Sequence, residues 1–168
     1  MILITGGLGF IGLHTARRFL DVGEQVVLTQ FKVRREPDFI KAELGKRAFI
    51  ETLDVTSTHD VSEIVRKHKV TGIVHLAVPG LGALTAAEDY RVNVMGFLNI
   101  LEAARLFDVK RVSLASSVAV YAGLAVAMLG GPGALLTTAG AAAGLLTVLL
   151  SVAQPARSTD SLGSRSPV

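Results

Sequence analysis

The sequence predicts an α/β protein with a doubly wound parallel sheet, and three observations predict it. Short β-branched runs alternate with longer amphipathic stretches up to Ser117, a rhythm that gives parallel strands joined by right-handed crossover helices. The strand runs are apolar enough to be buried on both faces, as parallel strands are. A glycine-rich turn links the first strand to the first helix.

Taken in order, strands are expected at Met1–Thr5, Gln25–Thr29, Ala48–Leu53, Gly72–Val78 and Arg111–Ala115. The helix Phe10–Val22 places Leu13, Ala16 and Leu20 at helical spacing and stops before Gly23, a candidate cap. Pro37–Leu44 is a less regular helical segment. Thr58–His68 sets Val61, Ile64, Val65 and His68 on one face behind a Ser/Thr/Asp start. Ala86–Phe107 carries Tyr90, Val94, Phe97, Leu98 and Leu101 along one stripe.

A chain of 168 residues that is half hydrophobic and 18% charged has the length of one domain and excludes a disordered protein. The net charge of +3 makes no nucleic-acid footprint, because no helix carries a basic stripe with interleaved aromatics. With no Cys there are neither disulfides nor thiolate metal sites, and His14, His59, His68 and His75 lack metal-site spacing. Met1-Ile2-Leu3-Ile4-Thr5 runs into the glycine turn without a basic leader, so a cytoplasmic protein is expected.

The turn reads Thr5-Gly6-Gly7-Leu8-Gly9-Phe10-Ile11-Gly12. A dinucleotide site needs glycine here for physical reasons. Gly6 permits the tight turn, Gly9 lets the backbone approach a pyrophosphate, and Gly12 allows close helix–strand packing. The amides at the start of the helix, with its positive dipole end, then face the phosphates. A cofactor lacking the 2′-phosphate calls for an acid at the end of the second strand, to accept bonds from the ribose hydroxyls. That end reads Val27-Leu28-Thr29-Gln30-Phe31-Lys32, and Lys32, Arg34 and Arg35 precede the first acid, Glu36. NAD(P) is therefore the expected cofactor, with a lean to NADP. The same three cations also read as solvated loop charges, and Gln30 can still bond a ribose hydroxyl.

With these residues in hand, residues 1–121 resemble the extended short-chain dehydrogenase/reductase family, the NAD(P)-dependent epimerases and dehydratases. The resemblance rests on the motif at 5–12, Asp54-Val55 after the third strand, His75-Leu76-Ala77 in the fourth, Asn93 followed by Gly96 and Leu98-Asn99-Ile100-Leu101-Glu102-Ala103-Ala104, and Ser116-Ser117 followed by Val120-Tyr121. It implies a Rossmann-like fold in which Phe10 and Ile11 open the phosphate-binding helix. It also implies that Asp54 and the Val55 backbone meet the adenine, that Leu76 and Ala77 line the cofactor, and that Asn93 lies beside the nicotinamide end. Ser117 would hydrogen-bond the reacting hydroxyl or carbonyl of a nucleotide sugar or related substrate, and Tyr121 would pack nearby. Plainer readings stand beside these: Asp54 as a cap for the next segment, His75 as a core histidine, Asn93 as an exposed or loop-bonded amide, and Ser117 as a strand-end hydroxyl.

The family's proton-transferring Tyr-x-x-x-Lys, implied some 25–30 residues after Ser117, is missing. Tyr90 and Tyr121 are followed four residues on by Val94 and Ala125, and the last lysine is Lys110. The sequence character also changes. Met1–Arg111 holds 28 of the 31 charged residues, and the 45 residues Val112–Ala156 hold none. From Ala122 to Val168 there is no Lys, Glu, Ile, Asn, Phe, His or Tyr. The chain is expected to divide into a cofactor-binding part, 1–121, and an anomalous tail, 122–168. Three readings of the tail stay open. Ala134–Ala153 could anchor the protein in a membrane, with Gly140-x-x-x-Gly144 as a helix contact. The tail could be a buried dimer contact, making a homo-oligomer. Its Ala, Gly, Leu, Val, Pro, Ser, Thr and Arg also suit a GC-rich gene read out of frame, which composition and position favour.

Overall fold

Among the described residues, five parallel strands form one sheet in the order β3-β2-β1-β4-β5. In chain order they are β1 (Ile2–Thr5), β2 (Val26–Gln30), β3 (Ala48–Thr52), β4 (Gly72–His75) and β5 (Arg111–Leu114). The computed structural model describes residues 1–32, 36–80 and 83–116. Arg34, Arg35, Ser117, Tyr121 and the tail therefore lie outside the described residues.

The strands alternate their side chains between two apolar layers. Leu3, Val27 and Ile73 pack with Val61, Ile64 and Val65 of α2 (Thr58–Lys67) and with Ile100, Ala103 and Ala104 of α4 (Gly96–Leu106). Ile4, Val26 and Leu28 pack with Ala16 and Leu20 of α1 (Phe10–Asp21) and with Ile40 from the 3₁₀ segment Asp38–Glu43. The crossovers thus cover both faces, which makes the sheet doubly wound.

Local chemistry ends the helices as the sequence implies. After α1, Gly23 takes φ +88°, while its amide donates to the Leu20 carbonyl and the Glu24 amide donates to that of Phe19. The Ser57 side chain caps α2 by accepting from the Asp60 amide.

Three expectations need correction. The span expected as one helix, Ala86–Phe107, is divided into α3 (Ala86–Tyr90), a π-turn (Arg91–Met95) and α4. Its buried stripe is Val94, Gly96, Phe97, Ile100, Ala103 and Ala104, while Tyr90 and Leu98 are exposed. Gly96 faces inward because α4 lies so close to Val55 that a Cβ there would come within 2.7 Å of Val55 Cγ2. Finally, burial on both faces holds for the central strands, not for β3 and β5. Glu51 is half-buried, Thr52 exposed, and Arg111 and Ser113 face solvent, because these strands lie outermost among the described ones. Among the described residues, no helix is long and apolar enough to cross a membrane.

Candidate cofactor site

The strand order reverses between β1 and β4, so the loops leaving their carboxyl ends part to opposite faces and open a crevice there. Gly6 turns the chain out of β1 with φ +63°, and a Cβ on it would stand 2.9 Å from the Leu76 carbonyl oxygen and 3.0 Å from the Ala77 nitrogen. The glycine motif and the Leu76-Ala77 segment are thus brought together. Gly12 corrects a detail: its closest approach is to the turn, not the strand, since a Cβ would lie 2.6 Å from both Gly6 O and Gly7 Cα. Gly7, to which the sequence alone assigns no role, fits against Leu28 of β2, and its amide donates to the Thr29 carbonyl.

At the start of α1, Gly9 is the N-cap, with no side-chain cap and no acid in the first turn. The amides of Phe10, Ile11 and Gly12 therefore have no intrahelical acceptor, and they sit at the positive end of the helix dipole. Phe10 and Ile11 are 80% and 63% exposed. An anion fits this place electrostatically.

The two central loops are tied by a residue that sequence reasoning did not single out. The Thr5 hydroxyl accepts from the amides of Leu76 at 3.1 Å and Ala77 at 3.2 Å, and lies 2.7 Å from His75 Nδ1. With both lone pairs engaged, the hydroxyl must give its proton to Nδ1, so His75 is the neutral tautomer protonated at Nε2. Burial pushes its pKa down to about 4, which keeps it neutral. His75 is thus a core histidine, stacked on Phe97 at 5.9 Å. The signal in the sequence was a polar Thr at the last position of a buried strand, which needs a partner.

The outer part of the edge is looser. Gln30 ends β2 half-buried, and its carbonyl accepts from the Leu53 amide at 2.8 Å. Phe31 and Lys32 beyond it are exposed, with the ammonium 5.0 Å from the ring centroid. Across the crevice Thr85 and Glu88 form a capping box for α3. The Thr85 hydroxyl and amide hold the Glu88 carboxyl below its usual pKa, and the Lys32 charge adds to this. Asp54 and Val55 follow β3 after Leu53. Asp54 is not the cap of α2: its Oδ1 accepts from the Thr56 amide at 2.9 Å and hydroxyl at 2.8 Å. Asn93 lies in the π-turn, half-buried, and donates to Asp89 Oδ2 at 3.1 Å.

Known proteins are similar to this chain in sequence and in fold. A model of the NAD dependent epimerase/dehydratase family matches residues 2–130. The UDP-glucose 4-epimerase of Mus musculus is 30% identical over 134 residues, covering 71% of this chain and 38% of the mouse protein. Sterol-4-alpha-carboxylate 3-dehydrogenase (decarboxylating) of Candida albicans is 35% identical over 123 residues, covering 71% of this chain and 35% of its own. The chain thus spans little more than a third of the length of these relatives. The Bordetella bronchiseptica enzyme WbmG, solved in complex with NAD, superposes with a TM-score of 0.64 at 25% identity, over 71% of this chain and 38% of that one. With that family model matching residues 2–130, this chain belongs to the NAD-dependent epimerase/dehydratase family.

Proposed function

We propose that this chain binds a nicotinamide dinucleotide along the carboxyl edge of its sheet and, as it stands, does not carry out hydride transfer. The observation that carries the reading is the turn at Gly6–Gly12, where close backbone packing leads into an uncapped helix start at the crevice. Gly6, Gly9, Phe10, Ile11 and Gly12 would hold the pyrophosphate. Leu76 and Ala77 would line the centre, Asp54 and Val55 the adenine, Gln30 the ribose, and Asn93 the nicotinamide side. The bound nicotinamide would supply the hydride acceptor or donor of the family's chemistry.

What this chain lacks is the proton mover. No Tyr-x-x-x-Lys occurs anywhere in the sequence, and loss of general acid–base help typically costs about 10²–10⁴-fold in rate. Ser117 would still offer a hydrogen bond to a substrate hydroxyl or carbonyl. The relatives' names point to two substrate classes, a nucleotide sugar and a sterol carboxylate, and WbmG was also solved with NAD and UDP. A nucleotide sugar or related hydroxyl/carbonyl compound is the substrate class we assign to the family ancestor of this chain. A dinucleotide-binding or sensing role in the cytoplasm fits the residues that remain.

The missing carboxylate at the end of β2, with Lys32 and Arg34 beyond it, favours NADP over NAD. Titration with NADPH and NADH, read by nicotinamide fluorescence, is expected to show both binding and NADPH binding the more tightly. No binding of either at about millimolar concentration overturns the reading, and equal or tighter NADH binding overturns the preference.

For residues 122–168 we hold the frameshift reading over a membrane anchor or dimer contact, because seven residue types vanish together at the end of the family motif. Its test is translation of the other two frames beyond codon 121. A frame containing Tyr-x-x-x-Lys within about 40 codons supports it, and two frames without one sink it.

A further inference from the structure

We propose that Asn99 is a positioning residue for the adenine end of the cofactor; this rests on the reading of Asp54 and Val55 as adenine contacts. The segment Asp54–Ser57 between β3 and α2 is largely closed upon itself. Asp54 Oδ1 takes both donors of Thr56, and the Ser57 amide donates to the Asp54 carbonyl at 3.0 Å. Such a turn has a defined shape, but its internal bonds do not say where it stands relative to the sheet.

Beyond the Leu53 amide, which donates to the Gln30 carbonyl at 2.8 Å where the chain leaves β3, its placement comes from α4. Asn99 Nδ2 donates to the Val55 carbonyl at 3.0 Å, and its Oδ1 accepts from the Thr58 hydroxyl at 3.0 Å. One planar amide therefore braces the turn on both sides, and the two bonds fix which end is nitrogen. Gly96, one turn earlier, lets Val55 seat directly on the helix, where a Cβ would be 2.7 Å from Val55 Cγ2. The helix itself is anchored by Ile100, Ala103 and Ala104 in the core, so the turn inherits a rigid position. Asp54 and the Val55 backbone are held at the carboxyl edge by a side chain that need not touch the cofactor.

The test uses the full chain and two half-ligands, AMP and nicotinamide mononucleotide, followed by ligand-observed NMR. Asn99→Leu removes both bonds. Asn99→Asp keeps the acceptor for Thr58 but sets an oxygen against the Val55 carbonyl. Thr58→Val removes the outer bond alone. Loss of the part-buried bond to the Val55 carbonyl is expected to weaken AMP binding about tenfold in both Asn99 variants. The expected loss is about two- to threefold in Thr58→Val, with nicotinamide mononucleotide binding unchanged throughout. Unchanged AMP affinity in Asn99→Leu, or in Asn99→Asp should the first fail to fold, overturns the proposal. So does an equal loss for both half-ligands, which marks a merely structural role. A wild-type chain that binds neither half-ligand nor NADH overturns the dinucleotide reading itself, and this proposal with it.

Discussion

At the centre of the carboxyl edge, Thr5 and His75 are 0% and 3% exposed and share a short bond, whereas at its outer side Phe31 is 55% exposed and Lys32 faces solvent. The two regions would serve one ligand and are specified by different physics. In the centre, backbone meets backbone and buried polar atoms have no water to fall back on, so each residue is required by its neighbours. At the outer side, charges in high dielectric act weakly and are replaceable. On the proposed reading, the centre would fix that a dinucleotide can bind. The outer side would tune which one.

The largest effect that would sharpen this contrast is expected at the helix start. Gly12→Ala drives a Cβ to 2.6 Å from Gly6 O and Gly7 Cα, backbone that cannot swing aside. It is expected to cost about 3 kcal/mol of stability and to abolish NADH binding. The urea midpoint and the fluorescence titration measure these, and a variant with wild-type values for both breaks the claim that the centre is sterically closed.

A comparable effect is expected from acid. The pKa of His75 is lowered from 6.5 to about 4 by burial. Between those values the unfolded chain takes up a proton that the native fold refuses, so stability is full above pH 6.5 and falls as pH drops towards 4. The loss amounts to about 3 kcal/mol. Protonation at Nδ1 would also remove the acceptor of the Thr5 proton. The variant His75→Asn is expected to lose this slope while retaining a hydrogen-bond acceptor. Urea midpoints from pH 7 to 4.5 that fall equally in both proteins contradict the assignment.

The smallest effect is expected at the outer side. Lys32→Ala is expected to weaken NADPH by about threefold and NADH hardly at all, with stability within about 0.5 kcal/mol of wild type. A tenfold or larger loss for both cofactors would mean that the outer side is as indispensable as the centre.

The centre is also where the sequence was most legible. The glycine spacing, the buried strand runs and His75-Leu76-Ala77 each reflect a local constraint that leaves few residue choices, and the structure brings them together. Thr5 was missed because a hydroxyl in a strand gives no signal of its three partners, all of which lie 70 or more positions away in the chain. The burial phase of α4 was misread because periodicity favours the bulkiest residues, and close contact between elements favours the smallest. Leu98 and Leu101 looked more like core than Ala103 and Ala104, yet it is the two alanines that are buried, and Val55 leaves no room for a Cβ at Gly96. Asn93 was legible as a position within a motif, but not as part of a widened turn.

That widened turn has a consequence for how the chain tolerates insertions. A π-turn holds one residue more than an α-helical turn, which is about 100° of rotation between the helices on its two sides. The segment Ala86–Leu106 thus aims in two independent directions: Asn93 keeps the phase of Asp89, and Gly96 with Asn99 keeps the phase that meets Val55. In genetic terms, a single codon between 91 and 95 sets the angle between these two settings. Its deletion would leave a smooth helix with the Val55 side and the Asn93 side no longer aimed together.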